Sequence, residues 1–89
     1  DALAQKAIAL RPHLPAGVCA ALAEVGCEEA LVTLAGNRTA DIPDFSLERM
    51  VERAGDCGAL REALLARTDL PAGLRQTTAA RVSDALADF

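Results

Sequence analysis

The sequence has few of the residues that favour β-strands. It contains no Trp, no Tyr and two Phe, Val, Ile and Thr are sparse, and no long stretch alternates between apolar and polar residues with the period of a strand. Much of its 52% hydrophobic content is alanine, the best helix former. The composition therefore predicts an all-α fold.

Basic residues and long apolar runs are also scarce. Acidic residues outnumber basic ones 13 to 9, for a net charge of −4, which argues against a nucleic-acid partner because phosphate binding draws on clustered Lys and Arg. No apolar run reaches the ~18–20 residues of a membrane span, so we expect no membrane association. The chain starts at Asp1 inside an apparently helical run without a signal-peptide pattern, so we expect one helical-repeat domain over residues 1–89 that is a fragment of a longer chain.

The cysteines do not form a recognisable framework. Cys19, Cys27 and Cys57 are odd in number and widely spaced in the sequence, which favours a reducing cytoplasm over a secreted disulfide scaffold. A structural zinc site needs four closely spaced ligands, and His13 is the only further candidate of the usual soft type. We expect buried apolar filler. A reactive thiol at Cys27 or Cys57, each expected to open a helix, is the alternative.

No catalytic constellation is recognisable. His13 lies between two prolines without a nearby nucleophile or acid partner, as a general base would need. Ser46, Ser83 and the threonines stand in no known nucleophile motif, and the glycines are single residues, unlike a phosphate-binding loop. The sequence predicts a protein that is not an enzyme and has no cofactor or metal.

What the sequence does have is a repeated signal. Three Leu/Ile-Pro dipeptides recur with a 28-residue period, and the first and third copies continue as Leu-Pro-Ala-Gly. The repeat-defining residues are Leu14, Pro15, Ile42, Pro43, Leu70 and Pro71. Proline suits the first turn of a helix, where its missing N–H costs nothing, so each dipeptide predicts the start of a helix.

Helical periodicity and breakers together predict six helices. The expected spans are 1–10, about 15–25, 27–35, 43–54 (or a later start with Ser46 as N-cap), 57–67 and 71–89, with Gly26 as a left-handed terminator and Asp69 as the cap of the last helix. The expected core residues are Leu3, Ala4, Ala7, Ile8, Val18, Leu22, Val25, Ala30, Leu31, Leu34, Ala35, Leu47, Met50, Val51, Ala54, Leu60, Ala63, Leu64, Leu74, Thr78, Val82 and Leu86.

The apolar positions repeat together with the prolines. Ala7, Ala35 and Ala63 follow the same 28-residue period, and Leu22 matches Met50. One helix pair in each such period is typical of an α-solenoid, a curved stack in which each unit contacts its neighbours. We therefore predict a short HEAT-like α-solenoid. The alternatives are a coincidental repeat in an Ala/Leu-rich chain and an ordinary helical bundle.

The Leu-Pro-Ala-Gly units, the run from Leu60 to Pro71 and the closing Arg81 to Leu86 resemble an uncharacterised bacterial family, domain of unknown function 2336. That family is itself similar to HEAT repeats and to the leucine-rich repeat variant. The resemblance implies a stack of short helices and supplies no activity. The iron–sulfur cluster that can accompany the leucine-rich repeat variant does not transfer, because the chain lacks the cysteine cluster that holds it.

The function that these observations favour is a non-catalytic scaffold that binds another protein. Arg11, Arg38 and Arg67 lie near the ends of equivalent predicted helices, so they are expected to line one edge of the stack as a partner-binding surface. Two alternatives stay open. One is a structural or dimerisation module, with a possible homo-oligomer, and the other is a regulatory, thiol-based module of a larger bacterial protein.

Overall fold

The computed structural model describes the backbone of residues 1–87 and the side chains of residues 1–80. This part of the chain is all-helical and contains no strand. Its six helices are α1 (Ala2–Ala9), α2 (Ala16–Val25), α3 (Glu28–Gly36), α4 (Asp44–Ala54), α5 (Gly58–Leu65) and α6 (Ala72–Ala87). Within residues 1–87, none of these helices has both the length and the apolar character needed to cross a membrane.

The Leu/Ile-Pro dipeptides each precede a helix, as predicted. The even-numbered helices α2, α4 and α6 begin at Ala16, Asp44 and Ala72, which directly follow the three prolines. The carbonyl oxygen of Pro15 accepts hydrogen bonds from the first turn of α2, and that of Pro43 does the same for α4. The apolar residue of each dipeptide is 4–6% exposed, so each dipeptide both starts a helix and inserts a side chain into the core.

The helices pack in a regular order. The odd-numbered helices form one series, in which α3 contacts both α1 and α5, and α2 contacts α4 in the even-numbered series. α6 contacts α5 and α4. The core between the two series is made of buried apolar residues from every helix up to α5 and from the three dipeptides.

The predicted core faces of α3, α4 and α5 are confirmed, with Ala63 partly buried and the other predicted positions buried. The prediction was wrong for most of α1, since Leu3 is 80% exposed and Ala4 and Ala7 are exposed, while Ala9 is buried. Val25 is 71% exposed because α2 turns the face of Cys19, Leu22 and Ala23 inward. The predicted core residues Val82 and Leu86 lie outside the described side chains.

Two predicted helix ends need correction. α4 begins at Asp44, directly after Pro43, so Ser46 lies buried inside its first turn and is not the N-cap. Gly26 follows α2 in an extended conformation with φ −67° and ψ 147°, not in the left-handed region. A Cβ at this position would lie 2.5 Å from the carbonyl oxygen of Leu22. Glycine is therefore favoured here by a close backbone approach.

Candidate functional site

The three arginines that were predicted to line one edge lie in different environments. Arg11 and Arg38 are exposed, whereas Arg67 is 7% exposed. The Arg67 guanidinium donates from Nη1 to the carbonyl oxygens of Ala35 and Asn37, both at 3.0 Å, and from Nη2 to that of Ala40 at 3.1 Å. These acceptors belong to the C-terminal end of α3 and the segment after it. Arg67 is thus a buried cap for α3.

Asp69 supplies the remaining hydrogen-bond acceptors for Arg67. Its carboxylate accepts from Nε at 2.8 Å and from Nη2 at 3.0 Å, so all five guanidinium N–H groups are used. These hydrogen bonds lower the pKa of the Asp69 carboxyl from its ordinary value, against the effect of partial burial. The prediction that Asp69 caps α6 was wrong, because this helix begins three residues later, at Ala72, and the carboxylate instead holds Arg67.

The capping of α3 has counterparts on α1 and α5. The Asn37 side-chain amide donates to the carbonyl oxygens of Ala9 and Arg11, both at 2.8 Å. The Arg75 guanidinium donates to those of Leu65 at 2.8 Å and Arg67 at 2.7 Å. Each odd-numbered helix thus has its last carbonyls held by a side chain from further along the chain, which satisfies groups that a helix end leaves without partners.

The acceptors of this capping system follow the sequence period, and the donors do not. Ala9, Asn37 and Leu65 lie one period apart and each accepts a side-chain hydrogen bond. The donors are Asn37, Arg67 and Arg75, an amide and two guanidinium groups at unequal spacings. A search for repeated residue types could not find them, and sequence reasoning missed Asn37 and Arg75.

Arg38 and Arg67 do share a small concave region at the C-terminal ends of α3 and α5. Two adjoining cavities of about 150 and 90 Å³ lie there. Their walls are formed by Ala35, Gly36, Arg38, Ala63, Ala66, Arg67, Thr68 and Asp69. Because the N–H groups of Arg67 are already used, Arg38 is the cation that remains available to a partner in this region.

A larger concave surface lies between α4 and the start of α6. This α4–α6 groove has a volume of about 500 Å³. It is lined by Glu48, Val51, Glu52, Pro71, Gly73, Leu74 and Thr77. The two glutamates are exposed, whereas Val51 is buried and Leu74 half-buried. The groove therefore combines an apolar floor with an acidic rim, a surface suited to an apolar side chain next to a cation.

The two glutamates on the rim of the α4–α6 groove differ in their contacts. Glu52 accepts a hydrogen bond at 3.1 Å from Arg49, which also pairs with Glu24 at 3.0 Å. These hydrogen bonds raise the pKa of Arg49. Glu48 is exposed and has no ion pair with a side chain in residues 1–80.

The cysteines and the histidine are dispersed. Cys19 is buried, which raises its pKa, and Cys27 and Cys57 are partly buried at the N-terminal ends of α3 and α5. His13 lies exposed in the turn before α2 with φ 55°. The residues that the structure describes contain no group of three or more His, Cys, Asp or Glu arranged to hold a metal ion.

Two buried hydroxyl groups have no hydrogen-bond partner among the described residues. They belong to Ser46 and Thr78, each 1% exposed. Thr78 stands one period after Met50 and two periods after Leu22, which are buried core residues. The two residues that precede Thr78 at this period are thus apolar, whereas Thr78 carries a hydroxyl group.

Comparison with protein families identifies the chain. The model of the family described as "Uncharacterised protein conserved in bacteria (DUF2336)" matches residues 1–89. The chain belongs to this family. Searches of the curated proteins and of the solved structures gave no match. This match confirms the predicted resemblance to domain of unknown function 2336.

Proposed function

We propose that this DUF2336 chain is a non-catalytic helical-repeat scaffold, built as a short HEAT-like α-solenoid, that binds another protein. The starts of α2, α4 and α6 at 28-residue intervals and the packing of α3 on both α1 and α5 support the solenoid. Each helix then contacts its nearest neighbours, as in stacks of helical repeats. That such stacks commonly bind proteins is an analogy at the level of the fold.

The observation that carries the binding role is the composition of the α4–α6 groove. Val51 and Leu74 form an apolar floor beside the carboxylates of Glu48 and Glu52. Buried apolar contacts supply most of the affinity of a protein interface, and charges at its rim steer association and select partners. The partner is therefore a protein segment that places an apolar side chain on the floor and a Lys or Arg beside Glu48.

The proposed scaffold acts in the cytoplasm. All three cysteines are free thiols, the state that a reducing compartment maintains. Protein recognition by the α4–α6 groove requires neither a metal nor a cofactor.

Site-specific photo-crosslinking in bacterial cells tests this proposal. A photo-reactive residue at Thr77, in the groove, is compared with one at Thr68, which is exposed outside it. We expect a discrete protein adduct from position 77 and none from position 68. The adduct at position 77 should be lost on Glu48→Lys, because the reversed charge repels the partner's cation.

Glu62→Lys is the matched control for Glu48→Lys. It makes the same change of charge at an exposed helical position of α5 outside the groove, so the adduct at position 77 should persist. An adduct that survives Glu48→Lys, or one that both variants abolish equally, would contradict recognition by the groove.

A further inference from the structure

The residues that line cavities between α3 and α5 identify the side of α5 that faces α3. Ala63, Ala66 and Arg67 line a cavity together with Ala35 and Gly36 of α3. Ala59 lines a second cleft together with Val32 and Thr33 of α3. Positions 59, 63, 66 and 67 thus form the face that an odd-numbered helix presents to the odd-numbered helix before it.

Two positions of this face are buried in α3. Leu31 and Ala35, which precede Ala59 and Ala63 by one period, are each 1% exposed, and α3 packs against α1. The positions of α3 that match Ala59 and Ala63 are therefore covered, whereas Arg38 and Thr39, which precede Ala66 and Arg67 by one period, are exposed.

In α1 this phase is open. Moving back by another period gives Leu3, Ala7, Leu10 and Arg11. Leu3 is 80% exposed and Leu10 68% exposed, and Ala7 and Arg11 are exposed as well. We call these four residues the α1 outer face. Leu3 differs most from its equivalent in α3, because Leu31 is 1% exposed, so Leu3 is the apolar side chain that a further helix would cover.

Arg11 indicates the chemistry of the missing contact. Its equivalent two periods later, Arg67, donates to the carbonyl oxygens of Ala35, Asn37 and Ala40 at the end of the preceding odd-numbered helix. A helix lying parallel to α1 would present its last carbonyls to Arg11 in the same way. Guanidinium groups are favourable at that end of a helix because of its negative partial charge.

The opposite end of the odd-numbered series has its carbonyls occupied. Arg75, from the first turn of α6, donates to the carbonyl oxygens of Leu65 and Arg67. The end of α5 is therefore held from within the chain, and the α1 outer face is the side of the series left open among the described residues.

We propose that the α1 outer face is a stacking surface for a further helix pair of the same construction as α1–α2. Its first helix lies parallel to α1, covers Leu3 and Ala7, and accepts hydrogen bonds from Arg11. Self-association through α1 is disfavoured, because a helix of 8 residues is only about 12 Å long and stable interfaces bury roughly 1,200–2,000 Å².

A tandem duplication tests this proposal. A second copy of residues 1–28 is joined in front of Asp1, which keeps the 28-residue period, and Leu3→Cys is placed in either the outer or the inner copy. Thiol labelling is then quantified at that site by peptide mass spectrometry. We expect the inner cysteine to react at least about tenfold more slowly than the outer one, as burial in a packed helix contact requires.

Arg11→Ala supplies a second readout that the labelling chemistry does not affect. In the inner copy it should lower the melting temperature of the duplicated protein, and in the outer copy it should leave that temperature unchanged. Equal labelling of the two cysteines, or a duplicated protein with less helix per residue than the original chain, would overturn the proposal. In the original chain, protection of Leu3→Cys that increases with protein concentration would overturn it in favour of self-association.

Discussion

At the scale of single residues, Arg67 has the most demanding environment in the described structure. It is a buried cation whose five donors are all used by one carboxylate and three backbone carbonyls. A guanidinium group suits this arrangement because its planar fork can serve several acceptors at fixed angles, which an ammonium group cannot. Arg67 thus joins the segment after α5 to the C-terminal end of α3.

Replacing Arg67 tests this structural role. We expect Arg67→Lys to lower the free energy of unfolding by about 3 kcal/mol, because the ammonium group leaves buried carbonyls and part of the ion pair unsatisfied. Chemical denaturation measures the change. Arg38→Lys, at an exposed position nearby, should change stability by less than about 0.5 kcal/mol. Equal effects of the two substitutions would show that the Arg67 hydrogen bonds contribute little.

The hydrogen bonds from Arg67 also predict a dependence of stability on pH. They lower the pKa of the Asp69 carboxyl in the folded protein, so Asp69 binds its proton less readily in the folded than in the unfolded chain. This stabilisation is complete above the ordinary Asp pKa of about 3.9 and is lost as the pH falls through the folded pKa.

Denaturation midpoints measured from neutral to acid pH test the contribution of Asp69. The midpoint of the wild-type chain should fall more steeply in acid than that of Asp69→Asn, which has no carboxyl to protonate. Parallel curves for the two proteins would contradict the assignment to Asp69.

At the scale of elements, residues at equivalent positions of successive helices differ in their contribution to stability. Leu3 and Leu31 are one period apart, yet Leu3 is 80% exposed and Leu31 is 1% exposed. α1 and α3 have only 8 and 9 residues, and helices this short derive most of their stability from packing. The contribution of a side chain to the stability of the fold therefore depends on whether a neighbouring helix covers it.

Alanine substitutions make this difference measurable. We expect Leu31→Ala and Leu60→Ala each to lower the free energy of unfolding by ~2–5 kcal/mol, because both side chains are buried and their removal leaves a cavity. Leu3→Ala is the matched control and should cost less than about 0.5 kcal/mol in this chain. Thermal or urea unfolding of the three variants gives the comparison, and a wild-type curve for Leu31→Ala would show that the core face of α3 is misassigned.

At the scale of the whole molecule, the odd-numbered helices differ in how many neighbours they pack against. α3 lies between α1 and α5, whereas the α1 outer face is exposed. A helix that packs against fewer neighbours opens more readily, so we expect α1 to open more readily than α3.

Amide hydrogen exchange should reveal this gradient. After correction for intrinsic rates, we expect helical amides of α1, such as that of Ala7, to exchange at least about tenfold faster than the equivalent amides of α3, such as that of Ala35. In the duplicated chain the inner α1 should gain protection. Uniform protection of α1 and α3 in the original chain would indicate a single cooperative unit.

The sequence by itself determined the class of structure, the starts of the even-numbered helices and the core faces of α3 to α5. These are local properties, because proline sets its own φ and lacks an N–H, and helical periodicity assigns faces within one element. Membership of DUF2336 could likewise be read from the run of residues that the resemblance used.

The tertiary structure decided what the repeating residues do. Arg67 is buried, whereas Arg11, at the same phase, is exposed. The capping donors Asn37, Arg67 and Arg75 hold equivalent carbonyls from unequal positions, and the α4–α6 groove joins residues from two separate helices. These features depend on which element packs against which. The sequence period predicts equivalent positions, and whether each one is covered depends on the presence of a neighbouring helix.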